Sequence, residues 1–245
     1  MRNPFNSQVA ASIFDYPANP NVNDDEFDSA VLDPAWVVGA GAFTAGVINP
    51  YASFAAGNTT YDLTVRRSWL MLQPPGSGAT QRLTRAAALA GDFSVWMRAS
   101  FGSRLNTVPA NGDGNIGAQI STAAYDANNR ADIYINESDA GAIYAKFVTV
   151  AGGVSTTVAT TIDKYVTQAD TQDIQLMGIQ KIGTNYHGWA IGSSGSPIYL
   201  GVGAIPALVP GSLSIVTSNA LSTLPGNMRM GLDYLRVVDG ATFIP

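Results

Sequence analysis

Alternation with a period of two residues most constrains how this chain can fold. Phe93, Val95, Met97, Ala99 and Phe101 alternate with Ser94, Trp96, Arg98 and Ser100. Ala131, Ile133 and Ile135 alternate in the same way with Asp132, Tyr134 and Asn136. Successive side chains of a strand point to opposite faces, so each run reads as a half-buried strand. Tyr61, Leu63 and Val65 begin another, which runs into Trp69-Leu70-Met71-Leu72. Turn formers separate the runs: Pro74-Pro75-Gly76, Asn111-Gly112-Asp113-Gly114-Asn115, Asp126-Ala127-Asn128-Asn129, Gly152-Gly153 and Gly183-Thr184-Asn185. Short strands with frequent turns and no sustained helical period predict an all-β sandwich or barrel. One stretch, Gln81 to Ala90, has helical propensity through three consecutive alanines and lies between Gly78 and Gly91.

The 245 residues suffice for one large all-β domain or two small ones. Residues 1–23 read as an extended arm. Phe5, Phe14 and Tyr16 are too irregularly spaced for one helical face, and Pro17, Asn19 and Pro20 keep the chain extended. Such an arm packs on its own domain or on a neighbour. No linker divides residues 24–245, which are expected to form one domain.

Only 13% of residues are charged, about half the usual share. A Thr/Ser/Asn-covered surface and large assembly interfaces both account for that. The net charge is −5, lysine occurs only at Lys146, Lys164 and Lys181, and Arg66-Arg67 is the one adjacent pair among ten scattered arginines. Without a clustered cationic face, nucleic acid is not an expected partner. No apolar run has the length of a bilayer span, so no membrane partner is expected either. Met1 to Phe14 lacks the basic and apolar regions of a secretory signal. The absence of cysteine excludes disulfides, thiolate catalysis and cysteine-bound zinc.

Glu26, Glu137 and His187 are the only glutamates and the only histidine. His187 stands between Tyr186 and Gly188 with no acidic neighbour to orient it, whereas a histidine-activated nucleophile needs such a partner. Gly192-Ser193-Ser194-Gly195-Ser196 lacks the spacing of a nucleophile elbow and reads as a turn. No catalytic residue, cofactor or metal site is assigned. Asp24, Asp25, Glu26, Asp28 and Asp33 are the densest acidic group, and Asn111 to Asn115 form an oxygen-rich loop. Either has the ligand type of a calcium site, and neither has the EF-hand pattern; acidic turns and a solvated loop explain them more simply.

Several segments, in order, resemble the concanavalin A-like lectin/glucanase jelly roll, in particular its laminin-G-like and β-xylosidase C-terminal variants. Asp25-Glu26-Phe27-Asp28 leading to Leu32-Asp33-Pro34-Ala35-Trp36 is similar to the opening strand of that family. Arg82-Leu83-Thr84-Arg85 followed by Gly91 to Ala99 resembles its strand–loop–strand, which makes the alanine run a loop. Leu176 to Gly183, Asn185 to Trp189 and Pro197 to Gly201 resemble a hairpin that reads a ligand or packs the sheets, and Gly231 to Val237 the closing strand. The resemblance covers residues 24–240 and implies a two-sheet antiparallel jelly-roll sandwich behind the N-terminal arm. Enzymes of the glucanase branch carry a Glu-x-Asp-x-x-Glu strand, which this chain lacks.

The functional expectation is therefore a non-catalytic assembly protein. A phage virion component, a head-decoration or tail protein, fits a lectin-like fold with no visible export signal, and other protein subunits, including copies of itself, are the expected partners. The alternative is a carbohydrate-binding module. Trp96 falls on the phase opposite Phe93, Val95 and Met97, and Tyr186 and Trp189 flank His187 near a hairpin tip. Aromatic faces stack on sugar rings, so Trp96, Tyr186, His187 and Trp189 are the candidate glycan-binding residues. Burial of such a tryptophan under an edge loop or a partner chain is the competing reading. A diverged glycoside hydrolase is the second alternative.

Overall fold

The computed structural model describes residues 21–27, 32–38, 44–48, 69–73, 81–101, 114–122, 126–137, 143–162, 174–191, 197–219 and 230–240. Residues 1–20, Asp28, the 61–65 run, Pro74-Pro75-Gly76, 111–113 and the 192–196 turn lie outside them. Among the described residues fourteen strands are present: β1 (Val37–Val38), β2 (Thr44–Ile48), β3 (Trp69–Gln73), β4 (Gln81–Ala86), β5 (Phe93–Phe101), β6 (Gly114–Ser121) and β7 (Arg130–Glu137) in the first half. The second half holds β8 (Ile143–Ala151), β9 (Val154–Ile162), β10 (Ile174–Ile182), β11 (Asn185–Ile191), β12 (Pro197–Ala204), β13 (Ser212–Asn219) and β14 (Met230–Asp239).

They form two seven-stranded antiparallel sheets, ordered β1-β4-β13-β6-β7-β8-β9 (the β6 sheet) and β12-β11-β10-β5-β14-β3-β2 (the β5 sheet). The result is an all-β jelly-roll sandwich. The alternation delivers the core directly: Phe93, Val95 and Met97 face Ile116, Ala118, Ile120, Ile133 and Ile135 in one buried cluster. Burying each large side chain of this kind contributes about 1.5–3 kcal/mol. Ladder register interleaves large and small residues, with Ala118 paired to both Ile133 and Ile215, which lets the layers interdigitate.

The helical expectation for Gln81 to Ala90 is wrong. Residues 81–86 are β4, which pairs with β1 on one side and β13 on the other, and 87–90 continue without helix. Two ladders and the burial of Leu83 outweigh an alanine propensity of a few tenths of a kcal/mol per residue.

The acidic opening is not a regular strand either. Asp25 makes a single bridge to Leu235 of β14, and Phe27 has φ 47°, a left-handed conformation costly for a bulky residue. What holds it there is specific. Phe27 N donates to Asp25 Oδ1 at 2.8 Å, Trp36 Nε1 donates to Asp25 Oδ2 at 2.6 Å, and the Phe27 and Trp36 rings meet at 6.2 Å. Residues 21–23, on the arm side of the expected boundary, already pack on the domain: Asn23 is buried and Asn21 Nδ2 donates to Asp239 Oδ1 at 3.2 Å.

Candidate ligand-binding face

The outer face of the β5 sheet is built by residues in the opposite phase to the core. β5 contributes Trp96, β10 Gly178, β11 His187 and Trp189, β12 Tyr199 and Val202, and β14 Tyr234 and Arg236. In the ladders, Trp96 pairs with Gly178, which in turn pairs with Trp189. Gly178 makes room for the first of these rings: a Cβ there would stand 2.5 Å from Trp96 Cε3. Trp96, Leu176, Ile191 and Tyr234 form a second buried cluster on this face, with Trp189 packed against it.

The edge of the face depends on an irregularity. Gly188 pairs with Gly201 but Trp189 pairs with Tyr199, so Leu200 is an extra residue in β12. Such a bulge turns neighbouring side chains off simple alternation. Leu200 is buried in the core, while Tyr199 stands 48% exposed beside Trp189, ring centroids 4.7 Å apart. The Tyr199 hydroxyl lies 3.1 Å from His187 Nδ1. Partial burial lowers the His187 pKa below its ordinary 6.5, so the imidazole is neutral at pH 7. The arrangement offers a tilted aromatic pair with a neutral polar ring at its side, suited to an uncharged ligand with an apolar face and hydroxyls.

Of the four candidate residues, the structure brings His187 and Trp189 together at this place. Trp96 does leave the core face, but at 1% exposure it is the floor under the cluster and not a surface for stacking. Tyr186 is corrected outright. The Gly183-Thr184 turn pairs Asn185 with Ile182 and Tyr186 with Lys181, which points the Tyr186 ring into the main core at 0% exposure; desolvation raises its pKa far above the usual tyrosine value. Tyr199 escaped the sequence reading. Its position follows from the bulge, whose only trace in the sequence is the glycines Gly201 and Gly203 in β12.

The acidic residues at the start of the domain have structural duties. Asp24 Oδ1 accepts from Val237 N at 2.6 Å and Asp24 Oδ2 from Asn21 N at 2.8 Å, and Asp33 Oδ1 accepts from Ala35 N at 2.8 Å. Burial raises the pKa of both Asp24 and Asp25 despite these bonds. Among the described residues no three His, Asp or Glu side chains gather as a metal cage would require. Glu26 receives two bonds from Arg236, Nε to Oε1 at 2.6 Å and Nη2 to Oε2 at 3.0 Å, and that guanidinium lies 3.9 Å over the Tyr234 ring. Glu137 is the last residue of β7, in the other sheet.

The outer face of the β6 sheet is polar and closed. Gln119 Nε2 donates to Asp132 Oδ1 at 2.7 Å, Arg130 Nε to Asp132 Oδ2 at 2.9 Å, and Arg82 Nε to Gln119 Oε1 at 3.3 Å. Ser121 bonds Ser212 at 2.9 Å and Thr84 bonds Ser214 at 2.8 Å. Burial is the largest influence on Asp132 and raises its pKa, against the Arg130 charge and the Gln119 bond.

No family model and no curated protein matches the chain. Solved structures do. The CBM2 module of Lactobacillus casei BL23 phage J-1 evolved Dit superposes with a TM-score of 0.59 at 10% identity, over 91% of this chain and 97% of that one. SCLam, a non-specific endo-β-1,3(4)-glucanase from family GH16, gives 0.55 at 12% over 90% and 91%. Xylan β-1,4-xylosidase from Bacillus halodurans C-125 gives 0.54 at 12% identity; the match covers 92% of this chain but only 40% of that one. The fold is the concanavalin A-like jelly roll.

Proposed function

We propose that this chain is a non-catalytic component of a phage virion, a head-decoration or tail protein, built on a lectin-like jelly roll. The observation that carries this reading is the match to a phage Dit module over nearly the whole of both chains. Low charge suits a subunit that buries much of its surface in an assembly. The glucanase and xylosidase matches share the scaffold, but the residues here argue against hydrolysis. A retaining pair needs two carboxyl groups about 5–5.5 Å apart, whereas Glu26 is held by Arg236 at the β5 sheet and Glu137 ends a strand of the β6 sheet. Particles assembled from the genome that encodes the chain should contain it in fixed copy number by mass spectrometry; its absence from purified particles would sink the reading.

The Trp189–Tyr199 pair favours a second and compatible function, attachment to a surface glycan. The open aromatic edge, flanked by His187, is where a pyranose would stack. On a glycan array, Trp189→Ala and Tyr199→Ala should each weaken binding about tenfold or more, equivalent to roughly 1.4 kcal/mol. Wild-type protein that binds no sugar at millimolar concentration removes this function and leaves the virion assignment standing.

A further inference from the structure

Among the described residues the two sheets have four outer strands, and these are protected unequally. Exposed strand edges present unpaired N–H and C=O groups, and proteins blunt them with shortness, proline, bulges or charge. At one end of the β6 sheet, β1 is two residues long. In the β5 sheet, β2 has five residues, and β12 begins with Pro197 and carries the bulge opposite Gly188 and Trp189. β9 has none of these devices. It runs nine residues, Val-Ser-Thr-Thr-Val-Ala-Thr-Thr-Ile, without a charge, a proline, a glycine or a break in its ladder with β8. Residues 152–159 are all exposed.

The surroundings continue this uncharged surface. β9 and β12 lie against each other at the same end of the sandwich, where Val158 Cγ2 would touch a Cβ built on Gly201 at 3.4 Å. Val154 (71% exposed), Val158, Tyr199 and Val202 (52%) place four large hydrophobic side chains in the open on these two strands. Neither strand carries a charged residue.

We propose that β9 is a self-association edge, pairing antiparallel with β9 of a second copy of this chain about a two-fold axis at Val158. Two seven-stranded sheets then become one continuous sheet of fourteen. A second copy is the favoured occupant because the edge suits itself. A two-fold axis sets each strand against its own sequence in reverse, a juxtaposition that an edge with charges of one sign opposes and that uncharged β9 does not. With the axis at Val158, Val158 meets its own copy and Thr157 meets Ala159, each residue staying on its own face of the sheet. Alternate residues of nine-residue strands supply about eight to ten new hydrogen bonds, the number a standard interface carries. A closed two-fold also ends growth at two copies, where an open edge would invite aggregation. The inference rests on the reading of the chain as an assembly subunit and names the surface that assembles.

The test uses the whole 245-residue chain, which has no cysteine to interfere. Light scattering should give a dimer at about 100 μM. Val158→Cys should cross-link as a covalent dimer on mild oxidation, because opposed residues of an antiparallel pair have Cα atoms about 4.5–5.5 Å apart, within disulfide reach. Val209→Cys, equally open but away from β9, should stay monomeric on a denaturing gel. Thr157→Lys, which sets two ammonium groups diagonally across the axis, should weaken the dimer at least about tenfold. An unchanged far-UV circular dichroism spectrum and a cooperative melt certify each variant as folded; the midpoint itself moves when a dimer is lost or locked. A monomer at that concentration overturns the proposal, as does a dimer that neither cross-links through position 158 nor responds to Thr157→Lys. A monomer that still occurs in purified particles overturns the β9 interface alone, and a β9 dimer absent from particles overturns the virion assignment alone.

Discussion

On the outer face of the β6 sheet, Gln119, Ser121, Asp132 and Ser212 are buried and bonded sideways to one another or to Arg82 and Arg130. On the outer face of the β5 sheet, the series Trp96, Trp189, Tyr199 climbs from full burial to half exposure. Both faces come from the same alternation, and the difference lies in how each satisfies its side chains. Polar groups that find partners on neighbouring strands close a surface, because opening it would leave buried donors and acceptors unmatched. Aromatic rings packed across strands need no such closure, so the series can end in the open. Side chains paired by hydrogen bonds close a surface, as Arg236 and Glu26 also do on part of the β5 face, and the exposed rings mark the place proposed for a ligand.

The largest effect is expected from cutting the buried end of the aromatic series. Trp96→Ala should cost about 3–5 kcal/mol and lower the melting midpoint by roughly 10 °C or more, since Trp96 is the floor of the face and not its contact surface. A Trp96→Ala protein of near wild-type stability that lost only ligand binding would refute this division.

Asp132→Asn probes the polar face and sharpens the contrast through pH. The folded-state pKa of Asp132 is raised above 3.8 by burial, so the folded protein holds its proton more tightly than the unfolded chain. Asp132 therefore favours folding most at low pH, and that contribution is lost as pH rises from about 3.8 through the raised folded value. Melting curves across this range should show wild type losing ground relative to Asp132→Asn as pH rises, with glycan binding by the folded variant unaltered. A constant difference between the two proteins would mean that the Arg130 charge cancels the burial.

The smallest effect is expected at the open end. Tyr199→Phe removes the hydroxyl beside His187 Nδ1 and should change stability by less than about 1 kcal/mol. The depressed pKa of His187 gives stability that is complete above 6.5 and declines as pH falls below it. Tyr199→Phe should alter the pH profile of ligand affinity below 6.5 and leave it flat between pH 7 and 8. An effect of several kcal/mol would place Tyr199 among the structural residues.

The layers of the molecule differ in how far the sequence reveals them. Phe93 to Phe101 and Ala131 to Ile135 announce their strands and their inward faces, because alternation is a local property that burial enforces. The 81–90 segment misleads, since the ladders that make it β4 come from β1 and β13, far away in sequence. Trp96 has a legible phase but not a legible depth, which depends on Gly178 and Ile191 from other strands. Tyr186 and Trp189 are three residues apart and opposite in fate; the turn at Gly183 decides which of them faces inward. Tyr199 needed the one extra residue in β12, a defect that no regular period predicts.

The clasp between Asp24, Asp25 and β14 carries a consequence of another kind. Asp25 bridges Leu235, Asp24 accepts from Val237 N, and Asn21 reaches Asp239, so residues 21–25 lie beside the C-terminal half of β14. Early and late stretches stapled side by side suit a sandwich to insertion into a surface loop of another protein. In that sense the fold is portable, a unit that one chain could lend to another.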